Sequence, residues 1–133
     1  MKVAEWMSPD PLTVGPEDSV ATARSLLVSH GIRHLPVVDG DLLVGLISDR
    51  DVCGDRPDSL PSERLVESVM SSPAATIRQE DAIQEAGRLM VSRRFGALPV
   101  VDADNRLIGI ITTTDCLLAM LELAAREEPL LLD

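Results

Sequence analysis

The chain carries the same message twice. Laying residues 7–41 over 70–104, at an offset of 63, gives 15 identities in 35 positions. They include Met7 with Met70, Thr13 with Thr76, Glu17 with Glu80 and the run LPVVD at Leu35 and Leu98. One extra residue near Asn105 moves the offset to 64, after which Leu43, Gly45, Ile47 and Asp51 meet Leu107, Gly109, Ile111 and Asp115. The insertion falls in DADNR, where a turn tolerates it. A repeat of this length is one supersecondary unit used twice. A unit of about 60 residues buries too little surface to stand alone, so the two copies are expected to close one core between them. Such a seam leaves two symmetry-related clefts, where small ligands commonly sit.

Each copy reads as strand, helix, strand, strand, helix, which predicts an α/β (α+β) fold of two β-α-β-β-α repeats packed through their sheets. LTV and ATI are short extended segments. In the first helix Val20, Ala23, Leu26 and Leu27 share a face, and in the second copy Ile83, Ala86, Met90 and Val91 do. Asp18 or Ser19 suits the first N-cap, Asp81 with Gln84 the second, and Gly31 suits the stop of the first helix. HLPVVDGDLLVGLIS is a hairpin turning at Asp39, Gly40 and Asp41, and ALPVVDADNRLIGIIT is its counterpart. A last helix starts at each aspartate-bearing end. The Pro-, Ser- and charge-rich stretch 54–65 is the connection. The expected domains are therefore residues 1–62, with the linker from about 54, and 63–133.

Composition narrows the partners. Of 133 residues 45% are hydrophobic but only 2% aromatic, so the core is aliphatic. A net charge of −10 argues against a nucleic-acid backbone or an anionic membrane as main partner, while leaving room for a locally basic pocket. No apolar run reaches the roughly 20 residues a membrane span needs, and MKVAEWMSPD lacks a secretory signal's apolar segment. The cytoplasm is the expected location. Cys53 and Cys116 have no CxxC pair or histidines at ligand spacing, which favours reduced structural thiols over a disulfide or a metal. His30 and His34 are separated by the helix stop Gly31, so His30 is expected as a helix-end cation rather than a metal ligand.

The repeated ending, GLISDRD at Gly45–Asp51 and GIITTTD at Gly109–Asp115, is not what a core strand needs. Placed where a strand meets a helix, it offers unpaired backbone N–H groups that favour an anion. Ser48 or Thr112 adds a hydroxyl, and an ionised aspartate three residues on, an acceptor only, suits two ribose hydroxyls. The residues also admit a plainer account, in which Ser48 and Thr112 cap helices and Asp51 and Asp115 favour the first turn.

Doubling in register decides more than either copy. MSPDPLTVGPEDSV and GIRHLPVVDGDLLVGLISDRDV, with MSSPAATIRQEDAI and FGALPVVDADNRLIGIITTTDC, make the chain resemble a tandem pair of CBS domains, a Bateman module. The resemblance implies binding of adenosine-containing ligands, AMP, ADP, ATP or S-adenosylmethionine, with aspartate on the ribose and Ser or Thr near phosphate. It places Ser48 and Asp51 at one cleft and Thr112 and Asp115 at the other. The backbone around each LP, at Arg33, His34, Leu35 and Pro36 and at Gly96, Ala97, Leu98 and Pro99, would meet base or phosphate. Thr13, Val14, Thr76 and Ile77 would flank the adenine. It also implies a homodimer, a disc of four repeats.

The clefts are expected to differ. Repeat 1 has Arg33, His34 and Arg50 where repeat 2 has Gly96, Ala97 and Thr114, so a phosphorylated nucleotide should prefer the Asp51 cleft, with Arg33 its main charge partner. The alternative for Arg33 and Arg50 is solvated surface charge, and Arg93 or Arg94 could reach across the seam and blur the asymmetry. GxSxG, GxxxxGK[ST] and HExxH are absent, and no cysteine stands beside a base. A regulatory module that binds its ligand without catalysis or a required cofactor is thus expected, acting on a separate effector chain or through a change in self-association, since the repeats leave only EEPLLLD. The alternative is a ligand-free assembly module that dimerises or docks a partner protein.

Overall fold

The computed structural model describes residues 1–53 and 63–127. The expected connection therefore lies, as far as residue 62, outside the described residues, as does 128–133. The first copy supplies β1 (Ser8–Pro9), α1 (Val20–His30), β2 (His34–Asp39), β3 (Leu42–Ser48) and α2 (Asp49–Cys53). The second supplies α3 (Ile83–Arg93), β4 (Ala97–Val101), β5 (Leu107–Thr112) and α4 (Thr113–Glu127). β2 pairs antiparallel with β3 and β4 with β5, each hairpin with one register shift, at Val37/Val38 and at Val100/Val101. The leading segment of each copy joins its sheet through a single parallel bridge, Val14 to Val37 and Ile77 to Val100.

Helix ends follow side-chain chemistry. The Ser19 hydroxyl accepts the Thr22 N–H at 3.1 Å, and Gly31 closes α1 at φ 62. In the second copy the expected Asp81 cap is not made. Ala82 holds the N-cap position, because the Asp81 carboxylate instead accepts the Arg78 N–H at 2.9 Å. α3 ends at Arg94, which takes the left-handed conformation of Gly31 with φ 58. Val20, Ala23 and Leu27 are buried on α1 with Leu26 half-buried, and Ile83, Ala86 and Met90 are buried on α3. Val91, expected with that face, is instead 82% exposed. It lies one position, about 100°, past Met90 and so turns outward.

The two cores are closed crosswise. A 3₁₀ turn at Val3–Glu5 places Val3, with Met1, Trp6 and Met7, against Ile83, Leu98, Ile111 and Ala119 of the second copy. A matching turn at Val66–Ser68 places Val66, with Val69 and Met70, against Val20, Leu35, Ile47 and Val52 of the first. Helix N-termini leave backbone donors unpaired, and the exchanged segments accept them. Val20 N–H donates to the Arg64 carbonyl at 2.7 Å and Ile83 N–H to the Met1 carbonyl at 3.0 Å.

The exchange explains the glycine of the repeated phrase. β1 lies along β5, with Pro9 opposite Gly109, and Ser71 bridges Leu46 in the same way. A Cβ at Gly45 would stand 2.5 Å from the Met70 Sδ and 2.9 Å from the Ser71 carbonyl oxygen; at Gly109 the distances are 2.7 Å to Met7 Sδ and 3.0 Å to the Ser8 oxygen. Only glycine lets the incoming segment lie that close. At the hairpin tips the copies meet again. Leu43 N–H donates to the Asn105 carbonyl at 3.1 Å, and the Asn105 Nδ2 donates to the Leu43 carbonyl at 2.9 Å. The inserted turn, with Asn105 at φ 64, thus stitches one copy to the other.

Candidate functional site

The local geometry of the two endings is nearly superimposable. Ser48 N–H and Oγ donate to Asp51 Oδ2 at 2.8 and 3.0 Å, while Thr112 N–H and Oγ1 donate to Asp115 Oδ2 at 2.8 and 3.0 Å. Each hydroxyl also faces the aspartate's own N–H at 3.4 Å. The pair is a capping box, so the plainer account of these residues is realised locally. It occupies one carboxylate oxygen. Among the described residues no hydrogen bond reaches Oδ1 of either aspartate, which remains a free acceptor.

The first cleft, about 370 Å³, lies at the seam and is lined by Ser48, Arg50 and Asp51, by Arg33 and His34, and by Gly96 and Ala97 from the other copy. Arg94, Phe95 and Ser71 complete the wall with Leu46 and Asp49. Among the described residues none of the guanidiniums of Arg33, Arg50 and Arg94 has an ion-pair or hydrogen-bond partner. Three such cations against Asp49 and Asp51 make a locally basic cavity on a chain of net charge −10. Arg94 therefore deepens the asymmetry instead of blurring it. Its place was signalled by the alignment with Gly31, the end of the preceding helix.

The second cleft, about 650 Å³, is lined by Thr112, Thr113 and Thr114, by His30–His34, by Gly96 and Ile110, and by Ser8–Leu12. Both volumes suit a small ligand, within the roughly 300–1,000 Å³ of ordinary sites. Asp115 stands beside Thr112 without lining this cavity. Val14, Leu35, Pro36, Ile77, Leu98 and Pro99 are buried. They form the floor of the hairpins, where only backbone could meet a ligand. The Pro36 and Pro99 carbonyls are already taken by Val14 and Ile77 N–H at 3.1 Å each. Thr13 faces a separate depression near Gly40 and Asp41, and Thr76 is exposed outside both clefts. The contributions of Ser8–Leu12 and Ser71 were not read from the sequence, because they come from the exchanged segments.

His34 stands between the clefts. A Cβ on Gly96 would lie 3.0 Å from its Cε1 and 3.2 Å from its Nε2, so the imidazole packs over that bare backbone. Burial pushes the His34 pKa below its ordinary 6.5; Asp49 opposes the shift and Arg33 adds to it. Cys116 is buried with its sulfur 3.7 Å from Met90 Sδ, and burial raises its thiol pKa. Such a thiol is a poor nucleophile. The described residues hold no cluster of three or more metal-ligating side chains and no helix long and apolar enough to cross a membrane.

Two copies of a small α/β unit, each completed by the other and each ending in a hydroxyl–carboxylate turn beside a seam cleft, define a class of paired modules. Residues 3–55 and 66–122 match the model of the CBS domain, and the chain belongs to the CBS domain family, with two such domains in tandem. Its structure resembles CBSX2 in complex with AMP, at 33% identity and TM-score 0.82, covering 92% of this chain and 97% of that one. The CBS domain pair of protein MJ0100, solved with 5′-methylthioadenosine and S-adenosyl-L-methionine, is 26% identical with TM-score 0.82, covering 90% and 95%. In sequence the chain is 42% identical over 106 residues to inosine-5′-monophosphate dehydrogenase of Korarchaeum cryptofilum, 80% of this chain but 21% of that enzyme. It thus spans about a fifth of that relative's length.

Proposed function

We propose that this CBS pair is a regulatory sensor that binds adenosine-containing ligands in its seam clefts without performing chemistry on them. The observation that carries the reading is the Asp51 cleft, which Arg33, Arg50 and Arg94, without partners among the described residues, line together with the carboxylate of Asp51 on an otherwise acidic protein. In this reading Asp51 Oδ1 accepts from the ribose, Ser48 lies near the phosphate, and Arg33, Arg50 and Arg94 neutralise it. The backbone at Ala97 and its neighbours meets the base. Thr112 and Thr114 serve the second, less basic cleft, with Asp115 holding Thr112 in place from behind it. The AMP in CBSX2 and the adenosyl ligands in MJ0100 support the ligand class.

A thermal-shift screen with AMP, ADP, ATP and S-adenosylmethionine tests this. A ligand at 100 times its dissociation constant stabilises the fold by about 2.7 kcal/mol. No shift with any of the four refutes ligand sensing.

One observation favours a second reading, assembly without ligand. At the position of Arg24, whose guanidinium donates to the Val52 carbonyl at 2.6 Å, the second copy has Gly87. An apolar groove of about 780 Å³ opens there between α3 and α4, along Met90, Val91, Leu117 and Met120. Leu117 and Leu121 are 60% and 67% exposed. A homodimer through this face fits either reading, and a separate effector chain would read the output.

A further inference from the structure

Arg33, His34 and Gly96 each line both clefts. The aligned pair in the second copy, Gly96 and Ala97, supplies no charge. Arg33 is therefore the one cation that both clefts share, and the His34 ring resting on Gly96 is the partition between them. The neighbouring backbone is held in place: the Arg33 carbonyl accepts Asp49 N–H at 2.9 Å and the Gly96 carbonyl accepts Thr113 N–H at 3.1 Å. The Arg33 side chain, by contrast, is exposed and has no hydrogen-bond or ion-pair partner among the described residues. A dianionic phosphate at either cleft draws this guanidinium to its own side and leaves its own charge at the mouth of the other.

We infer that the two clefts compete for a single phosphate through Arg33, so that one chain takes one phosphorylated nucleoside while the second cleft takes only an uncharged one. This rests on the adenosine-binding reading above and adds the coupling between its two sites. The Asp51 cleft wins the phosphate because Arg50 and Arg94 are there as well, whereas the other cleft has Thr114 at the position of Arg50 and adds Asp10. Like charges brought to one seam repel, which makes the exclusion weaken as salt rises.

Calorimetric titration and native mass spectrometry of the full chain, with AMP and with adenosine, test the inference. Adenosine should fill two sites per chain and AMP one, with any second AMP at least tenfold weaker. In Arg33→Ala, AMP affinity should fall at least tenfold while two adenosines still bind, which also reports that the variant is folded. Two AMP molecules of affinities closer than tenfold would overturn the exclusion. So would a single adenosine, since the limit would then be space rather than charge, and so would unchanged AMP affinity in Arg33→Ala. If neither compound binds, the adenosine-binding reading fails and this inference falls with it.

Discussion

A methyl group at Gly109 has no room, because Met7 Sδ and the Ser8 carbonyl of the exchanged segment stand 2.7 and 3.0 Å from where it would be. Gly109→Ala and Gly45→Ala should therefore each destabilise the protein by about 1–3 kcal/mol, the range for overpacking, in urea unfolding. The glycine in the repeated phrase was visible in the sequence, but its reason was not. It answers to a segment that arrives from the other copy. In the proposed reading Asp51 has two duties. Asp51→Ala removes the acceptor of Ser48 N–H and should cost about 1 kcal/mol as a lost cap, besides any effect on ligand. The sequence raised capping and binding as alternatives for this residue; the use of Oδ2 alone by the cap makes them compatible. His34 gives the pH dependence its sign. Its folded pKa lies below 6.5 because burial disfavours the imidazolium. The unfolded chain then binds the proton more readily, so the contribution of His34 to stability is full above 6.5 and is lost as pH falls through the folded value. Unfolding midpoints of the wild type and His34→Gln should converge on acidification below 6.5; parallel curves contradict the assignment.

At the scale of the element, the ends of α1 and α3 make a natural comparison. Ser19 and Gly31 were legible because a hydroxyl N-cap and a left-handed glycine are local devices. The N-terminus of α3 was not, since the Asp81 carboxylate has a competing donor in Arg78 N–H. The face of α3 was misjudged only at Val91, because periodicity does not say how wide a stripe the neighbouring helix covers; its counterpart Val28 is likewise exposed in the first copy. Arg94 at φ 58 holds a conformation that glycine adopts without strain. Arg94→Gly should raise stability by about 0.5–1 kcal/mol while weakening phosphate binding, two effects separable by denaturation without ligand and titration with AMP. A variant that loses both stability and affinity would mean that the arginine is needed for packing.

The whole molecule is held by the crossed segments, and this the sequence did not disclose. Alignment of the copies shows that residues 7–41 match 70–104 but is silent on whose core a segment enters, because the two cores are chemically alike. The crossing predicts remote effects. Val3→Ala should destabilise by about 2 kcal/mol from lost methyl burial. In hydrogen exchange its loosening should fall on α3 and β5, remote along the chain but in contact through the shared core. Loosening confined to α1 would contradict the exchange. The crossing also builds the site, since Ser71 and Ser8–Leu12 reach the clefts only by passing to the other copy's sheet.

Whether the Asp51 cleft holds the phosphorylated adenosine ligand is decided by titrating AMP into Asp51→Ala and Asp115→Ala. Both substitutions remove the same cap, so their stability costs cancel in the comparison. AMP affinity should fall at least tenfold, about 1.4 kcal/mol, in Asp51→Ala and change little in Asp115→Ala. Equal losses in the two variants would contradict it.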